Sequence, residues 1–301
     1  MDRPDTSPPT MMQRILTSDF VFDFTRAPLA MLAAAVVLFL FIIAILAPLV
    51  APTNPFDPAS LNLMNGFTPP MTPNMFTGQS FVMGADDQGR DLLSAIIYGL
   101  RVSLFVGVMS VLLAMGIGVS LGLVAGYTGG WLDNLIMRIA DIQLTFPSIL
   151  IAMLIFGVLR GIIPPDLRDE MAIFVLIAAI GLSEWVPFAR TVRATTLVEK
   201  EKEYVQAARL IGLRRGQIMW RHILPNVIGP VLVIATITLA LAIIAEATLS
   251  FLGVGAPPTE PSLGTLIRIG HDSLFSGDWW ILAFPAVTLL ALALSVNLLG
   301  D

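Results

Sequence analysis

Six long runs of apolar residues, each about 20 residues in length, restrict the fold of this sequence more than any other feature. A run of that length can cross a bilayer as a helix, because a helix satisfies its own backbone hydrogen bonds. The runs lack the alternating apolar and polar pattern of membrane β-barrel strands. The sequence therefore predicts an all-α polytopic membrane protein with six transmembrane helices. They are predicted at Leu29–Val50, Val102–Ala125, Ile136–Val158, Met171–Val192, Val227–Leu252 and Trp280–Leu299.

Composition excludes several classes of protein. Of the 301 residues 56% are hydrophobic and 13% charged, too few charges to cover a water-soluble domain of this size. There is no cysteine, and only His222 and His271 could act as imidazole ligands or bases, so we expect no metal site and no catalytic residue. The net charge of −5 argues against a nucleic-acid partner.

The distribution of basic residues predicts the orientation of the chain. Eight of the 17 lysines and arginines lie in, or next to, the connection between the fourth and fifth runs. Because short basic connections stay in the cytoplasm, this connection and both termini are predicted to be cytoplasmic. Residues 1–28 would form a cytoplasmic segment, and residues 51–95 would lie on the opposite side of the membrane.

The basic connection also has a distinct internal pattern. Residues 199–226 read EKEKEYVQAARLIGLRRGQIMWRHILPN. Small and apolar residues fall on one helical face, Gly212 can end that helix, and Pro225 suits the first turn of the fifth transmembrane helix. We expect two short helices that meet at Gly212 and protrude from the membrane. An alternative is a basic connection that only sets topology or lies on anionic lipid.

Five segments carry recognisable motifs in a fixed order. They are MGADDQGRDLLS at 83–94, AGYTGGW at 125–131, QAA at 206–208 followed by Gly212 and ILP at 223–225, EATLSFLG at 246–253, and NLLGD at 297–301. Together they resemble the C-type permeases of the ATP-binding-cassette (ABC) importers of dipeptides, oligopeptides and nickel. The QAA segment is similar to the EAA loop of those permeases, which forms the coupling helix that sits in a cleft of the ATPase subunit.

This resemblance implies a type I ABC importer permease of the bacterial inner membrane. It implies one transmembrane helix at 29–50, an outer loop at 51–95, and a five-helix permease core at 96–301 whose coupling loop is 199–225. The implied partners are a homologous permease subunit, two ATP-binding subunits and an extracytoplasmic substrate-binding protein. ATP and magnesium would bind the ATPase subunits, so no cofactor is expected on this chain.

The resemblance also assigns the residues that would couple to the ATPase. One departure from the family pattern is Gln206, which replaces an acidic residue and keeps hydrogen-bonding capacity without the charge. The expected coupling residues are Glu203, Tyr204, Gln206, Ala207, Ala208, Gly212, Leu224 and Pro225.

Three acidic residues inside the predicted helices are candidates for a transport path or gate, because ionisable groups are costly within a bilayer. They are Asp141, Glu184 and Glu246. Asp141 follows Arg138 by three residues, which permits a local ion pair, and we expect structural or gating roles for all three more than substrate contact. The competing function is a proton-coupled secondary transporter that uses these carboxylates, although neither an inverted repeat nor half-helix pairs stand out.

Two further patterns concern helix geometry. Gly118, Gly122 and Gly126 recur every four residues and would let another helix approach closely, most simply one within the same chain. Pro147 and Pro187 fall inside the third and fourth predicted helices, where each is expected to cause a kink or an irregular turn.

Overall fold

A computed structural model describes residues 26–57, 61–257 and 259–300. Within these ranges the chain is helical, and its only β-type pairings are two isolated bridges in the connection that precedes the second long helix. The predicted cytoplasmic segment 1–28 falls almost entirely outside the described residues.

The helices, numbered in chain order, are α1 Pro28–Ile45, α2 Ala47–Val50, α3 Leu92–Thr128, α4 Gly130–Leu144, α5 Ser148–Ile162, α6 Arg168–Ser183, α7 Trp185–Glu199, α8 Glu203–Leu210, α9 Arg215–Gln217, α10 Leu224–Phe251, α11 Leu263–Ser273 and α12 Trp279–Gly300. Among the described residues, four helices are long and apolar enough to cross a membrane, and the number of spans is six if each of two bent helix pairs counts as one span. The all-α polytopic fold predicted from hydropathy is confirmed.

The third predicted span, Ile136–Val158, is not one helix. It is divided between α4 and α5, whose axes differ by 100°. Pro147 directly precedes α5, where its missing N–H and its effect on the preceding residue end the helical ladder. The irregularity predicted at Pro147 is confirmed, although hydropathy alone gave no sign of so large a bend.

The fourth predicted span, Met171–Val192, is also broken, with a bend of 41° between α6 and α7. The break lies at Glu184, and Pro187 lies in the first turn of α7, where a proline fits without losing a hydrogen bond. The irregularity expected near Pro187 therefore occurs three residues earlier.

The centre of the bundle is the contact between α3 and α7. A Cβ atom added at Gly118 would lie 2.5 Å from the Trp185 carbonyl oxygen, and one added at Gly122 would lie 2.5 Å from the Ala189 carbonyl oxygen. At Gly126 it would lie 2.8 Å from Thr196 Cβ. The predicted small-residue interface is confirmed as a contact within this chain.

This contact can be tested with two alanine variants on α3. Gly118→Ala forces a Cβ against the α7 backbone, and such overpacking costs about 1–3 kcal/mol. Gly116 is the control, because an added Cβ there meets no atom within 4 Å and alanine has the higher helix propensity. We expect thermal unfolding of the purified protein to occur at a lower temperature for Gly118→Ala and at an unchanged or higher temperature for Gly116→Ala.

The connection before α3 is held by its own side chains. The Asp86 carboxylate accepts hydrogen bonds from the backbone N–H groups of Gln88 and Arg90, both at 2.9 Å. Asp91 then caps α3 by accepting from the Ser94 N–H at 3.0 Å. The DDQGRD motif is thus a turn that starts the 37-residue helix α3.

The same connection folds over the helices of its own chain. The Trp280 indole nitrogen donates to the Ala85 carbonyl oxygen at 3.3 Å, and the Thr53 N–H donates to Ser94 Oγ at 3.1 Å. Several of its apolar side chains remain strongly exposed, among them Met71, Met75 and Phe76. We call this side of the bundle, which also carries α2 and α11, the connection end. The opposite side, which carries α8 and α9, is the basic end.

Candidate functional site

The short helix α8 at the basic end is built from the predicted coupling residues. Glu203, Gln206 and Ala207 are exposed on it, whereas Ala208 is buried against the bundle together with Val205. The Gln206 side-chain amide donates to the Glu201 carbonyl oxygen at 2.9 Å, so the residue that replaces the usual acid stabilises the turn before α8.

The chain leaves α8 through Gly212, whose φ of +80° lies in the left-handed region that favours glycine. The prediction of a second short helix is wrong in one respect. The helix after Gly212 is not separate, because Arg215–Phe251 forms one helix of 37 residues.

That long helix contains a π-helical segment, Ile218–Ile223, directly before α10. Pro225 lies in the first turn of α10 as predicted, with Leu224 half-buried beside it. Since proline has no N–H, the regular ladder cannot pass through this point, and a wider π turn accommodates the loss.

Tyr204 joins α8 to the helices on either side of it. Its hydroxyl donates to Glu199 Oε2 at 2.7 Å and accepts from Asn226 Nδ2 at 3.2 Å. Asn226 also donates to the His222 carbonyl oxygen at 2.8 Å, within the π-helical segment. Burial, and next the adjacent Glu199 carboxylate, raise the pKa of Tyr204 to about 12. The end of α7, α8 and the start of α10 are thus linked by one hydroxyl group.

Two cationic side chains join α8 and the turn before it to α3. The Lys200 ammonium donates to the Gly126 carbonyl oxygen at 3.0 Å, and the Arg209 guanidinium lies 5.2 Å from the centre of the Tyr127 ring. The α8 helix and the turn before it therefore contact both of the long helices, α3 and α10.

Two apolar side chains at the end of α8 face outward. Leu210 is 88% exposed and Ile211 is 75% exposed, next to the small residue Ala207. The sequence placed them on an apolar helical face but not among the coupling residues. Exposed neighbouring apolar side chains at the water-facing end of a membrane protein are typical of a protein interface.

Asp141 is paired with a different residue from the one its spacing permitted. Its partner is Arg190 on α7 rather than Arg138, three residues away on α4. A second pair, Arg193 with Asp133, joins the same two helices and was not predicted, with 2.6 Å between Arg193 Nη2 and Asp133 Oδ2. Both pairs connect positions more than 45 residues apart, which sequence spacing cannot reveal.

Glu246 is fully buried in the contact between α10 and α3. It accepts hydrogen bonds from Ser103 and Ser250, each at 2.7 Å. Ser103 in turn accepts from the Leu263 N–H at 3.2 Å, so the carboxyl group holds the start of α11 against the bundle. The Glu246 carboxyl group thus has structural partners at the connection end.

Glu184 lies buried at the break between α6 and α7, where helix-end carbonyl groups need partners. Gln143, at the end of α4, donates to the carbonyl oxygens of Leu182 at 3.2 Å and Ser183 at 2.8 Å. It also accepts from the Trp185 indole at 2.8 Å. The breaks of both bent spans therefore lie side by side, and Gln143, which the sequence did not single out, connects them.

Residues 118–301 match the family described as the binding-protein-dependent transport system inner membrane component. Residues 16–70 match the N-terminal transmembrane domain of oligopeptide transport permease C. The chain belongs to this family of binding-protein-dependent transport permeases. It is a multi-pass membrane component of a bacterial transport system.

Similar proteins extend over almost the whole permease. The dipeptide transport system permease protein DppC of Haemophilus influenzae is 35% identical over 297 residues, 98% of this chain and 95% of that protein. A putative peptide transport system permease protein of Brucella suis is 40% identical over 268 residues, 88% of this chain and 83% of that protein. The oligopeptide transport system permease protein OppC of Bacillus subtilis is 34% identical over 286 residues, 95% of this chain and 87% of that protein.

The larger family match includes α8 and every residue of the coupling set, whereas the smaller one covers α1 and the start of the connection. The role that family membership establishes for this permease is transport. In the described part of the permease, no group of three or more acidic or histidine side chains is arranged to hold a metal ion.

The Tyr204 hydrogen bonds predict a pH dependence of stability in the permease. The pKa of about 12 lies above the ordinary value of 10, so these bonds stabilise the fold fully below pH 10 and are lost as the pH rises towards 12. Tyr204→Phe should destabilise the permease by about 0.5–1.5 kcal/mol at neutral pH, and the difference from the wild type should shrink above pH 10. Thermal unfolding measured from pH 7 to 12 tests this.

Tyr127→Phe is the matched control, because the contact of Tyr127 with Arg209 uses its ring. A Tyr204→Phe variant as stable as the wild type at neutral pH would contradict the assigned hydrogen bonds.

Proposed function

We propose that the chain is one of two membrane subunits of an ATP-driven importer that carries dipeptides, oligopeptides or related small solutes across the bacterial inner membrane. The relatives support the solute class, since their names describe dipeptide, peptide and oligopeptide transport. The observation that carries the proposal is α8, an exposed helix with the QAA motif that contacts two transmembrane helices at once.

The proposed partners are a homologous permease subunit, two ATP-binding subunits and an extracytoplasmic substrate-binding protein. ATP and magnesium would bind the ATP-binding subunits, and this chain would perform no bond chemistry. We place the ATPase contact on Glu203, Gln206, Ala207, Gly212 and the neighbouring Leu210. The exposed Met71, Met75 and Phe76 at the connection end offer a surface to the substrate-binding protein or the partner permease.

The proposed orientation puts the basic end and the N-terminus in the cytoplasm. It is supported by the arginines and lysines near α7, α8 and α9, which the positive-inside rule places there. Residues 51–95 would then be extracytoplasmic, between a first transmembrane helix at 29–50 and a core at 96–301.

Movement of α8 would reach the membrane by two routes. Tyr204 and Asn226 lead to the π-helical segment and α10, whereas Lys200 and Arg209 lead to α3. We propose that closure of the ATPase subunits shifts α8 and that these contacts pass the shift to the bundle. The side-by-side breaks at Gln143 and Glu184 are the proposed gate, since broken helices in transporters often line the solute path.

The proton-coupled alternative has less support. Asp141 forms an ion pair with Arg190, and Glu246 accepts two hydrogen bonds from serines, so both carboxyl groups have structural partners. Of the three acidic candidates, Glu184 is the one that we retain for gating.

Docking of the ATPase can be tested at Leu210. Leu210→Asp places a charge in the proposed contact and should weaken capture of the ATPase subunits by about thirtyfold, the loss expected of an interface residue worth 2 kcal/mol. Gly216→Asp adds the same charge at a second exposed position of the basic end, where an added Cβ meets no atom. Co-purification and substrate-stimulated ATP hydrolysis should be normal in that control. Equal capture by both variants would overturn the docking assignment.

Transport itself can be measured with the reconstituted complex and its binding protein. Uptake of a labelled dipeptide such as Ala-Ala should require ATP, persist in the presence of an uncoupler, and fall strongly in Leu210→Asp. Uptake that an uncoupler abolishes and ATP depletion leaves intact would favour the secondary transporter.

A further inference from the structure

A cavity of about 840 Å³ lies at the connection end, between α1, α3 and α6. This volume is in the range of small-molecule sites, about 300–1,000 Å³. The cavity is distinct from α8 and from the paired breaks, and neither the coupling residues nor the acidic candidates line it.

The depth of the cavity corresponds to one leaflet of a bilayer. Its wall follows α3 from Tyr98 to Val108, ten residues apart, which at 1.5 Å per residue is about 15 Å. The hydrocarbon core of a bilayer is about 30 Å thick, so the cavity spans about half of it. The deep part is apolar and includes Phe41, Phe105 and Ile173.

Polar groups occur only around the mouth. Arg101 and Glu260 line it, together with the aromatic pair of Phe56 and Tyr98, whose ring centres are 5.2 Å apart in an edge-to-face arrangement. Tyrosines collect at the headgroup level of membranes, and arginines near the ends of transmembrane helices extend towards that level. Within the described ranges Arg101 has no ion pair or hydrogen bond, so its charge is available to a ligand.

We propose that this cavity binds one glycerophospholipid of the adjacent leaflet, with its phosphate on Arg101, its headgroup ammonium on Glu260, and an acyl chain along the apolar wall down to Val108. A zwitterionic headgroup of the ethanolamine type supplies both charges that the mouth complements. The lipid would fill the space between α1 and the rest of the bundle and so fix the position of that helix. This inference does not depend on the solute or on the ATP coupling.

The lining favours a lipid over a peptide. A peptide placed between Arg101 and Val108 would bury amide groups against Val102, Leu104 and Phe105, whose side chains offer no hydrogen-bond partner. An acyl chain has no such groups. Ile45 on α1, which also lines the cavity, is 69% exposed, as expected of a wall that opens towards the hydrocarbon layer.

The test is native mass spectrometry of the detergent-solubilised permease complex, with dioleoyl phosphatidylethanolamine and dioleoyl phosphatidylglycerol added in turn. Arg101→Gln should reduce the lipid retained per complex by about tenfold, the effect of losing one charge-assisted hydrogen bond. Glu260→Gln should abolish a preference for the ethanolamine lipid while retaining both lipids. Val108→Phe, which fills the apolar depth, should displace the lipid without changing any charge.

Two variants serve as matched controls. Arg160→Gln removes another arginine at the connection end, and Val287→Phe enlarges a valine of α12 that is 63% exposed and outside the cavity. Both should retain the lipid as the wild type does. Equal lipid retention in Arg101→Gln, Val108→Phe and the controls would overturn the proposal. Competition by the dipeptide Ala-Ala would also overturn it, because the cavity would then be a solute site. Loss of the partner permease from both Arg101→Gln and Val108→Phe would overturn it as well, because the cavity would then be a subunit interface.

Discussion

The close approach of α3 and α7 is the interaction on which the rest of the bundle depends. Three glycines on α3 bring its backbone against that of α7, a distance that any larger residue would increase. In a bilayer the hydrophobic effect does not drive helices together, so such close van der Waals packing must supply the attraction. The other long helix, α10, and the bent spans then pack around this pair, and α8 follows directly from the end of α7.

The break between α6 and α7 has hydrogen-bond partners for its backbone carbonyl groups. Helix ends in hydrocarbon leave carbonyl groups that water cannot reach, and each unpaired group is costly. Gln143 donates hydrogen bonds to the carbonyl groups of Leu182 and Ser183 and accepts one from the Trp185 indole. A side chain at the first break therefore stabilises the second break. A change at either break would therefore disturb both.

Hydropathy was sufficient to locate the six apolar segments, because the cost of burying polar groups in lipid acts on each run separately, but it placed the start of α3 ten residues too late. It could not predict the 100° bend, since hydropathy carries no information about backbone direction, and Pro147 indicated only that a kink or an irregular turn would occur there. The same limit applies to Asp141, whose neighbour in sequence is Arg138 but whose partner in space is Arg190. At α8 the motif indicated which segment is the candidate for coupling, whereas the exposure of Leu210 and Ile211 required the fold.

The scarce charges of this chain connect helices as well as giving the basic end its charge. Arg190 and Arg193, which contribute to the positive-inside signal, also pair with aspartates on α4 and so tie that helix to α7. Because α7 is held firmly to α3 by glycine packing, α8 cannot shift far through α7 alone. The contact of α8 with α10 is made by the Tyr204 hydroxyl, next to a π-helical segment whose hydrogen-bond ladder is irregular. On the proposed coupling route, the region that would yield when α8 is displaced is therefore the start of α10, and the glycine-packed pair would be the support against which it moves.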